Sequence, residues 1–327
     1  MSKKRSWLKG DTHLHTTDSD GVLSTEELIK GLKKKGLDWA IITDHNYPAA
    51  DAPYFDEDLL IIQGEEVTAG LGHFNVWGIK MPLQAPYKAD TPEEFEKLFK
   101  TAKEAGGTVS VNHPFCKNCT WHPPLDGFDM DCIEVWNAPM HIDNLANRTW
   151  WHKQLLKGRK IAAVGGSDYH RDFYVTDFLA MPTTFVYAKS NTQEDVLEAL
   201  RGGHSFITQG PNKTRLTLSV GDSFMGQSVQ WYQGIKVRVQ ARGIKRGHRL
   251  KVFNNDTLIY DEKAKKRNLD FELQVPQKGF VRAEITYEYN IFSRQIYKLV
   301  LLYAMPKDIG LKLPPFIYAM TNPIYFE

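Results

Sequence analysis

Long apolar runs are what this chain lacks most. Segments such as Ile61-Ile62 and Leu299 to Ala304 fall far short of the ~20 residues that a bilayer-crossing helix needs, so no membrane partner is expected. The basic start, Lys3-Lys4-Arg5, is not followed by the apolar stretch of about 7–15 residues that marks a secretory signal. Cysteine is scarce. Cys116, Cys119 and Cys132 are an odd number in a large chain, which suits free thiols in a reducing compartment better than a disulfide framework. A cytoplasmic protein is expected. A surplus of one charge is missing too: Lys and Arg total 41 against 39 Asp and Glu, a formal +2. That balance gives no electrostatic footprint for duplex nucleic acid or an anionic membrane, and points to a small-molecule substrate. Repeats and low-complexity segments are absent, and the charge run Lys263 to Arg267 reads as a solvated loop. Nothing in the sequence marks an oligomeric state.

What is present is a chain of 327 residues, 42% hydrophobic, with two textures. Ser24-Thr25-Glu26-Glu27-Leu28 opens a helix with a hydroxyl cap and an acidic first turn, and Lys33-Lys34-Lys35-Gly36 ends it. Asp38 to Thr43 follows as a continuous apolar strand, then Leu59 to Ile62 as strand, Thr91 to Ala105 as helix and Thr108 to Val111 as strand. Cys132 to Val135, Ile161 to Val164 and the helix Thr192 to Arg201 complete a repeating βα pattern, hence a barrel or a doubly wound sheet. After about residue 210, period-2 alternation takes over at Leu216, Leu218 and Val220, at Val237 and Val239, and at Val281, Ala283 and Ile285. Asn254-Asn255-Asp256 reads as a hairpin turn between Leu250-Val252 and Leu258-Ile259. The division expected is an α/β unit over 1–208 and a small antiparallel β-sandwich, Ig-like, over 209–327.

The chemistry-bearing residues come in an ordered series. Asp11-Thr12-His13-Leu14-His15 spaces two imidazoles two apart, which on a strand points both to one face and lets them share one metal ion. Asp20 follows on the departing loop. His45, Glu66, His113 and the Asp168-x-His170 pair stand where predicted strands end, and His73 lies just beyond Glu66. A lone histidine at such a place is usually a hydrogen-bonded structural residue. Here six of eleven histidines belong to one series, and in βα folds functional groups sit at strand ends. An active metal cluster is expected. General acid–base work by Asp168 and His170 without metal is the plainer alternative.

In this order of motifs the chain resembles the PHP (polymerase and histidinol phosphatase) superfamily from residue 10 to about 205. The resemblance implies a distorted (β/α)7 TIM-like barrel and two or three divalent ions, Mn, Zn or Fe. It also implies which residues hold them: His13, His15, Glu66 and Asp168 the first, Glu66, His73 and His113 the second, and Asp20, His45 and His170 the third. Gly-x-Glu in the family selects Glu66 over Glu65, with Gly64 as the fixed point. Glu66, Asp168 and His170 are then the catalytic group, and Asp44 orients a liganding histidine. Gly72-His73-Phe74-Asn75-Val76-Trp77-Gly78, Glu134-Val135-Trp136-Asn137, Ser205 to Pro211 and Thr321-Asn322-Pro323-Ile324-Tyr325 are similar to the branch that includes carbaryl-type N-methylcarbamate hydrolases. The activity implied is hydrolysis of small phosphodiesters or phosphomonoesters by metal-bound hydroxide. A carbamate or carboxylic ester hydrolase is the alternative, and a binding protein led by the sandwich a remoter one.

Other signals rank lower. His113, Cys116, Cys119 and His122 could form a separate zinc knuckle, but such sites usually pair two ligand couples across a longer loop, so a loop with free thiols is expected, a Cys116–Cys119 bridge being the other outcome. Trp121, Trp136, Trp150 and Trp151 are more often core than pocket at such spacings. Trp136 is the exception expected at the substrate; it stands with Glu134 and Asn137 at a strand end, where either polar side chain contacts substrate or supports a metal ligand, and Lys117 and Arg171 are the candidate phosphate-binding cations.

Overall fold

Local sequence chemistry places the helices. Ser24 accepts from the backbone of Glu27, whose side chain returns to Ser24, and Gly36 closes the helix in a left-handed turn. This is α1 (Thr25–Lys35), which buries Leu28, Ile29 and Leu32. Thr91 and Glu94 form the same reciprocal cap on α2 (Pro92–Glu104). The helix α3 (Asn144–Leu156) begins without a side-chain cap, and α4 (Gln193–Arg201) is capped by Thr192. These elements come from a computed structural model that describes residues 5–48, 52–79, 83, 89–116, 119, 121–138, 143–172, 177–287, 295 and 316–327. Lys117 and the Leu299 to Ala304 run lie outside the described residues.

The strands of the first part are β1 (Ser6–Asp11), β2 (Trp39–Ile42), β3 (Tyr54–Asp56), β4 (Leu59–Ala69) and β5 (Gly72–Trp77), then β6 (Thr108–Val111), β7 (Cys132–Asn137), β8 (Ala162–Gly166), β9 (Thr183–Ala188) and β10 (Ser205–Thr208). The later ones are β11 (Arg215–Val220), β12 (Ser223–Phe224), β13 (Ser228–Val229), β14 (Lys236–Arg242) and β15 (Arg249–Asn254), followed by β16 (Thr257–Lys263), β17 (Asn268–Gln274), β18 (Gly279–Tyr287), β19 (Phe316–Thr321) and β20 (Ile324–Phe326). One sheet runs β13-β20-β18-β19-β10-β9-β1-β2-β4-β5-β6-β7-β8, with β15 and β16 beside β18 and β3 beside β4. β1, β2 and β4 are parallel, as are β6, β7 and β8, while β5 is antiparallel to both its neighbours.

The expected closed barrel is corrected here. Among the described residues the hydrogen-bonded sheet is open, ending at β8, and four α-helices accompany it instead of one per strand. Interrupting the parallel order is the β4–β5 hairpin, which pairs Glu66 with Asn75 and removes the room for a crossover helix. The sandwich takes only one of its layers from a separate sheet, β12-β11-β14-β17. The facing layer is the large sheet itself: Leu216, Leu218, Val237 and Val239 pack on Leu250, Val252, Val281, Ala283, Ile285 and Ala319. The sheet crosses residue 208, because β10 pairs with β9 on one side and β19 on the other. No helix among the described residues is long and apolar enough to cross a membrane.

Candidate metal centre

β1 stops at Asp11, and the chain then turns across the sheet end, where Leu14 bridges Tyr169. That turn carries His13 and His15 into the centre, fully buried, with ring centroids 5.1 Å apart. The pair lies just past the strand instead of on it. His45 follows β2 and bridges Glu66, and Asp168 and His170 follow β8. Two of these positions, His113 at φ 24° and Asp168 at φ 49°, hold left-handed backbone that costs a non-glycine residue free energy. Gly166 is required beside them, since a Cβ there would lie 2.4 Å from the His13 Cβ and 2.6 Å from Glu134 Oε1.

Glu66 divides its two oxygens. Oε2 lies 3.4 Å from His13 Nε2, 3.5 Å from His15 Nε2 and 2.9 Å from His45 Nδ1. Oε1 lies 3.3 Å from His73 Nδ1 and 3.4 Å from His113 Nε2, and accepts from Asn112 Nδ2 at 2.8 Å. Asp168 Oδ1 lies 3.4 Å from His13 Nε2 and 3.1 Å from His15 Nε2. At the outer edge, Asp20 Oδ1 is 3.1 Å from His170 Nε2 and 3.6 Å from His45 Nε2. All nine ligand candidates are therefore brought together, and Glu66 is the glutamate among the histidines. Glu65 pairs with Val76 on the next strand and belongs to none of the donor groups.

Exposure runs one way through the group. His13, His15 and Glu66 are sealed, the side chains of His45 and His170 are 25% and 26% exposed, and that of Asp20 is 58% exposed. Among the described residues that edge is the most open side of the group. Arg171, exposed and directly after His170, stands there.

Buried nitrogens without a well-formed hydrogen bond are costly: His13 Nε2, His15 Nε2 and His73 Nδ1 face carboxylate oxygens 3.1 to 3.5 Å away without one, and His113 Nδ1 has no hydrogen-bond partner among the described residues. Their donor atoms and the carboxylate oxygens fall into small groups, each within 4.8 Å: His13, His15 and Asp168; His45, Glu66 and His73; and His15, Asp20, His45 and His170. Such convergence of nitrogen and oxygen donors fits divalent ions. Burial opposes charge on these groups, yet mutual attraction mostly prevails. Against burial, His13 and its neighbours hold Glu66 and Asp168 well below the usual carboxylate range. His13 is raised well above its ordinary value by Asp168 and Glu66, and His113 is pushed up to about 9, its burial outweighed by Glu66 and Asp168. At His15 burial wins, and its pKa falls.

A surrounding set fixes the rings. Glu134, 1% exposed, puts Oε1 3.1 Å from His13 Nδ1, and its Oε2 accepts from Asn137 Nδ2 at 2.9 Å and from the His113 backbone at 3.2 Å. Asn137 also donates to Asp168 Oδ2 at 3.1 Å. Trp136 is 3% exposed and packs in the core, its ring 6.5 Å from that of Phe316. The structure thus places Glu134 and Asn137 behind the ligands, in the supporting one of the two roles expected for them, and Trp136 in the core. Asp44 acts at one remove from a histidine: it accepts from Thr16 N–H and Oγ1, both at 2.7 Å, and from Ser19 Oγ, which lies 3.4 Å from His15 Nδ1.

Cys119 joins this site. Its sulfur and the donor nitrogens of His73 and His113 lie within 4.8 Å of one another, while His122 is exposed and belongs to no donor group among the described residues. Cys116, Cys119 and Cys132 form no disulfide among the described residues, as expected, so the Cys116–Cys119 bridge is not made. The His113-x5-Cys119 spacing was the available signal for Cys119, and pairing it with His122 hid it. Asn112 and Thr68, whose Oγ1 is 2.6 Å from His45 Nδ1, carried no such signal.

No family model matches the chain. Among curated proteins, an uncharacterized protein of Methanocaldococcus jannaschii is 27% identical over 156 residues, 43% of this chain and 87% of its own length. Among solved structures, a two-domain protein of Bacteroides vulgatus, named as containing a predicted PHP-like metal-dependent phosphoesterase, superposes with a TM-score of 0.53 at 20% identity. The match covers 86% of this chain and 90% of that one, so the two share a fold through both parts. A proposed metal-dependent phosphoesterase of Bifidobacterium adolescentis matches half of this chain and 87% of its own at 18% identity, with a TM-score of 0.35, too low to carry an argument.

Proposed function

We propose that the chain is a metal-dependent phosphoesterase that hydrolyses small phosphodiesters or phosphomonoesters. In this reading His13, His15, Glu66 and Asp168 hold one divalent ion, Glu66, His73 and His113 a second, and Asp20, His45 and His170 a third. The observation that carries it is the division of Glu66, one oxygen facing the first set and the other facing the second. Divalent ions so placed supply Lewis acidity to an ester oxygen and bring the pKa of water toward neutrality. The mixed imidazole and carboxylate donors suit Zn, Mn or Fe.

The protein's own part is orientation and exclusion of water. The Asp168 carbonyl can only accept, so His170 Nδ1, 2.9 Å away, carries the proton and leaves Nε2 free to face Asp20. Glu134 does the same for His13, turning its Nε2 lone pair to the centre. Arg171 at the open edge meets the charge of a phosphoester. The predicted activity named for the Bacteroides protein of the same fold supports a phosphoester over a carbonyl ester. We assign the chemistry to residues 1–208 and a supporting role to 209–327.

Elemental analysis of the purified full-length protein should find two or three such ions per chain, and His15→Ala should lower that count. Turnover of p-nitrophenyl phosphate and bis-p-nitrophenyl phosphate should fall to background in the same variant. Faster cleavage of aryl carbamates or carboxylic esters than of either phosphoester would replace this reading with a carbonyl-ester one. Less than one ion per chain after reconstitution would remove the metal centre from it.

A further inference from the structure

The near-neutral total conceals two oppositely charged parts. Residues 209–327 carry 19 Lys and Arg against 10 Asp and Glu, whereas residues 1–208 carry 22 against 29. Much of the positive excess gathers in three loops that hydrogen bond to one another. Thr214 Oγ1 donates to Gly243 O at 3.2 Å, Ile244 N to Arg267 O at 3.0 Å and Ala264 N to His248 O at 2.7 Å. Between them lies a cavity of about 420 Å³ lined by Asn212, Lys213, Lys245, Arg246, Arg267 and Tyr318 among others, with no carboxylate in its wall. None of its four cations has an ion-pair partner among the described residues. On the adjoining strands three cations are paired, Arg238 with Asp270, Lys236 with Glu272 and Arg249 with Asp261.

Topology puts this cavity at the end of the molecule that bears the histidines. β9 is antiparallel to β1 and β10 to β9, so Thr208, paired with Thr183, reaches the end where β1 delivers His13. Lys213 is five residues further on. A row of rings joins the two places: Trp136, next to Asn137, is 6.5 Å from Phe316, Phe316 is 5.3 Å from Tyr318, and Lys245 Nζ stands 5.8 Å from the Tyr318 ring.

We propose that this pocket binds a phosphate dianion, free or as the terminal group of a small ester, at a site separate from the metal centre. Two guanidinium groups and two ammonium groups line one concavity, the chemistry that pairs with phosphate oxygens, and concave walls focus their field. Left empty, the four like charges repel, and a dianion relieves that repulsion. The cavity is within the size range of small-molecule sites. Arg267, the last residue of the Lys263 to Arg267 run, is then part of the wall of a binding site, while the rest of the run stays a solvated loop.

The test is calorimetric titration of inorganic phosphate into full-length protein carrying His13→Ala and His15→Ala and stripped of metal, so that the metal centre adds nothing. One phosphate per chain is expected, weakened by salt and lost when Lys245→Ala, Arg246→Ala and Arg267→Ala are added. Lys213→Glu alone, a milder change, should weaken binding about tenfold. The triple alanine variant with an intact metal centre should keep its turnover of a small ester, which separates failure here from failure of the phosphoesterase reading. Absence of phosphate binding in the doubly substituted protein, or binding undiminished by the triple substitution, overturns the proposal. So does tight binding of a single-stranded oligonucleotide that phosphate does not displace, which would make the face a strand-binding one.

Discussion

Both oxygens of Glu134 are taken by protein groups, one by His13 and the other by Asn137 and the His113 backbone, so its effect on catalysis passes through those residues. Removing a carboxylate that orients a metal-binding histidine typically lowers metal affinity about 10- to 100-fold. Glu134→Ala is expected to show that loss in metal-buffered titrations, with Glu134→Gln intermediate because its amide oxygen can still accept from the ring. Equal affinities in all three proteins would show that the His13 ring is held by other contacts. The nine ligand candidates were legible in the sequence because donor chemistry belongs to the residue and their order along the chain is preserved at the strand ends. Glu134 and Asn137 were expected either at the substrate or behind the ligands and stand behind them, whereas Trp136, expected at the substrate, packs in the core. Which face of β7 turns inward depends on a register irregularity between Glu134 and Trp136, which no alternation pattern reveals.

Among the elements, helices with local caps were readable to within a residue or two. Ser24 shows why: its bond to the Glu27 backbone and the return from the Glu27 side chain are contained in four residues. Ser24→Ala should cost about 1 kcal/mol, read as a lower denaturation midpoint with unchanged slope, and no change would mean α1 is fixed by tertiary packing alone. The helix α3 escaped notice because it starts without a side-chain cap and buries Asn147 and Gln154 along with Trp151 and Leu155, which blurs its apolar face. The β4–β5 hairpin was missed for a related reason. Gln63, Glu65, Glu66 and Asn75 are polar yet buried. They interrupt the apolar run that marks a buried strand, because the site, not solvent, receives several of them.

At the scale of the molecule, the pairing of β10 with β19 joins residues more than a hundred positions apart, and no local pattern announces it. A second long-range tie is polar. Arg282 of β18 donates to His152 Nδ1 of α3 at 3.0 Å and to Glu284 at 2.9 Å, and Arg148 stands 3.9 Å from Glu284. Burial first, and then the Arg282 charge, push the His152 pKa down to about 4 from 6.5. The unfolded chain therefore takes up more protons between those values. The stabilisation from this tie is full above about pH 6.5 and declines as pH falls toward 4. Thermal unfolding of metal-free protein across that range should slope less in His152→Gln than in wild type, and parallel slopes would exclude the tie as a source. Residues 1–208 expressed alone would leave β10 with an open edge, and are expected to aggregate or unfold, as light scattering would show. A soluble, monomeric fragment would refute this.

The sheet that crosses residue 208 bears on descent as well as on stability. A gene recombined at that point would give β10 a neighbour shaped for another protein's strand, and the sandwich would lose the layer it shares. The two parts differ in surface and charge, but wherever both are present β10 and β19 must fit one another, so a replacement of either part has to carry a matching edge strand.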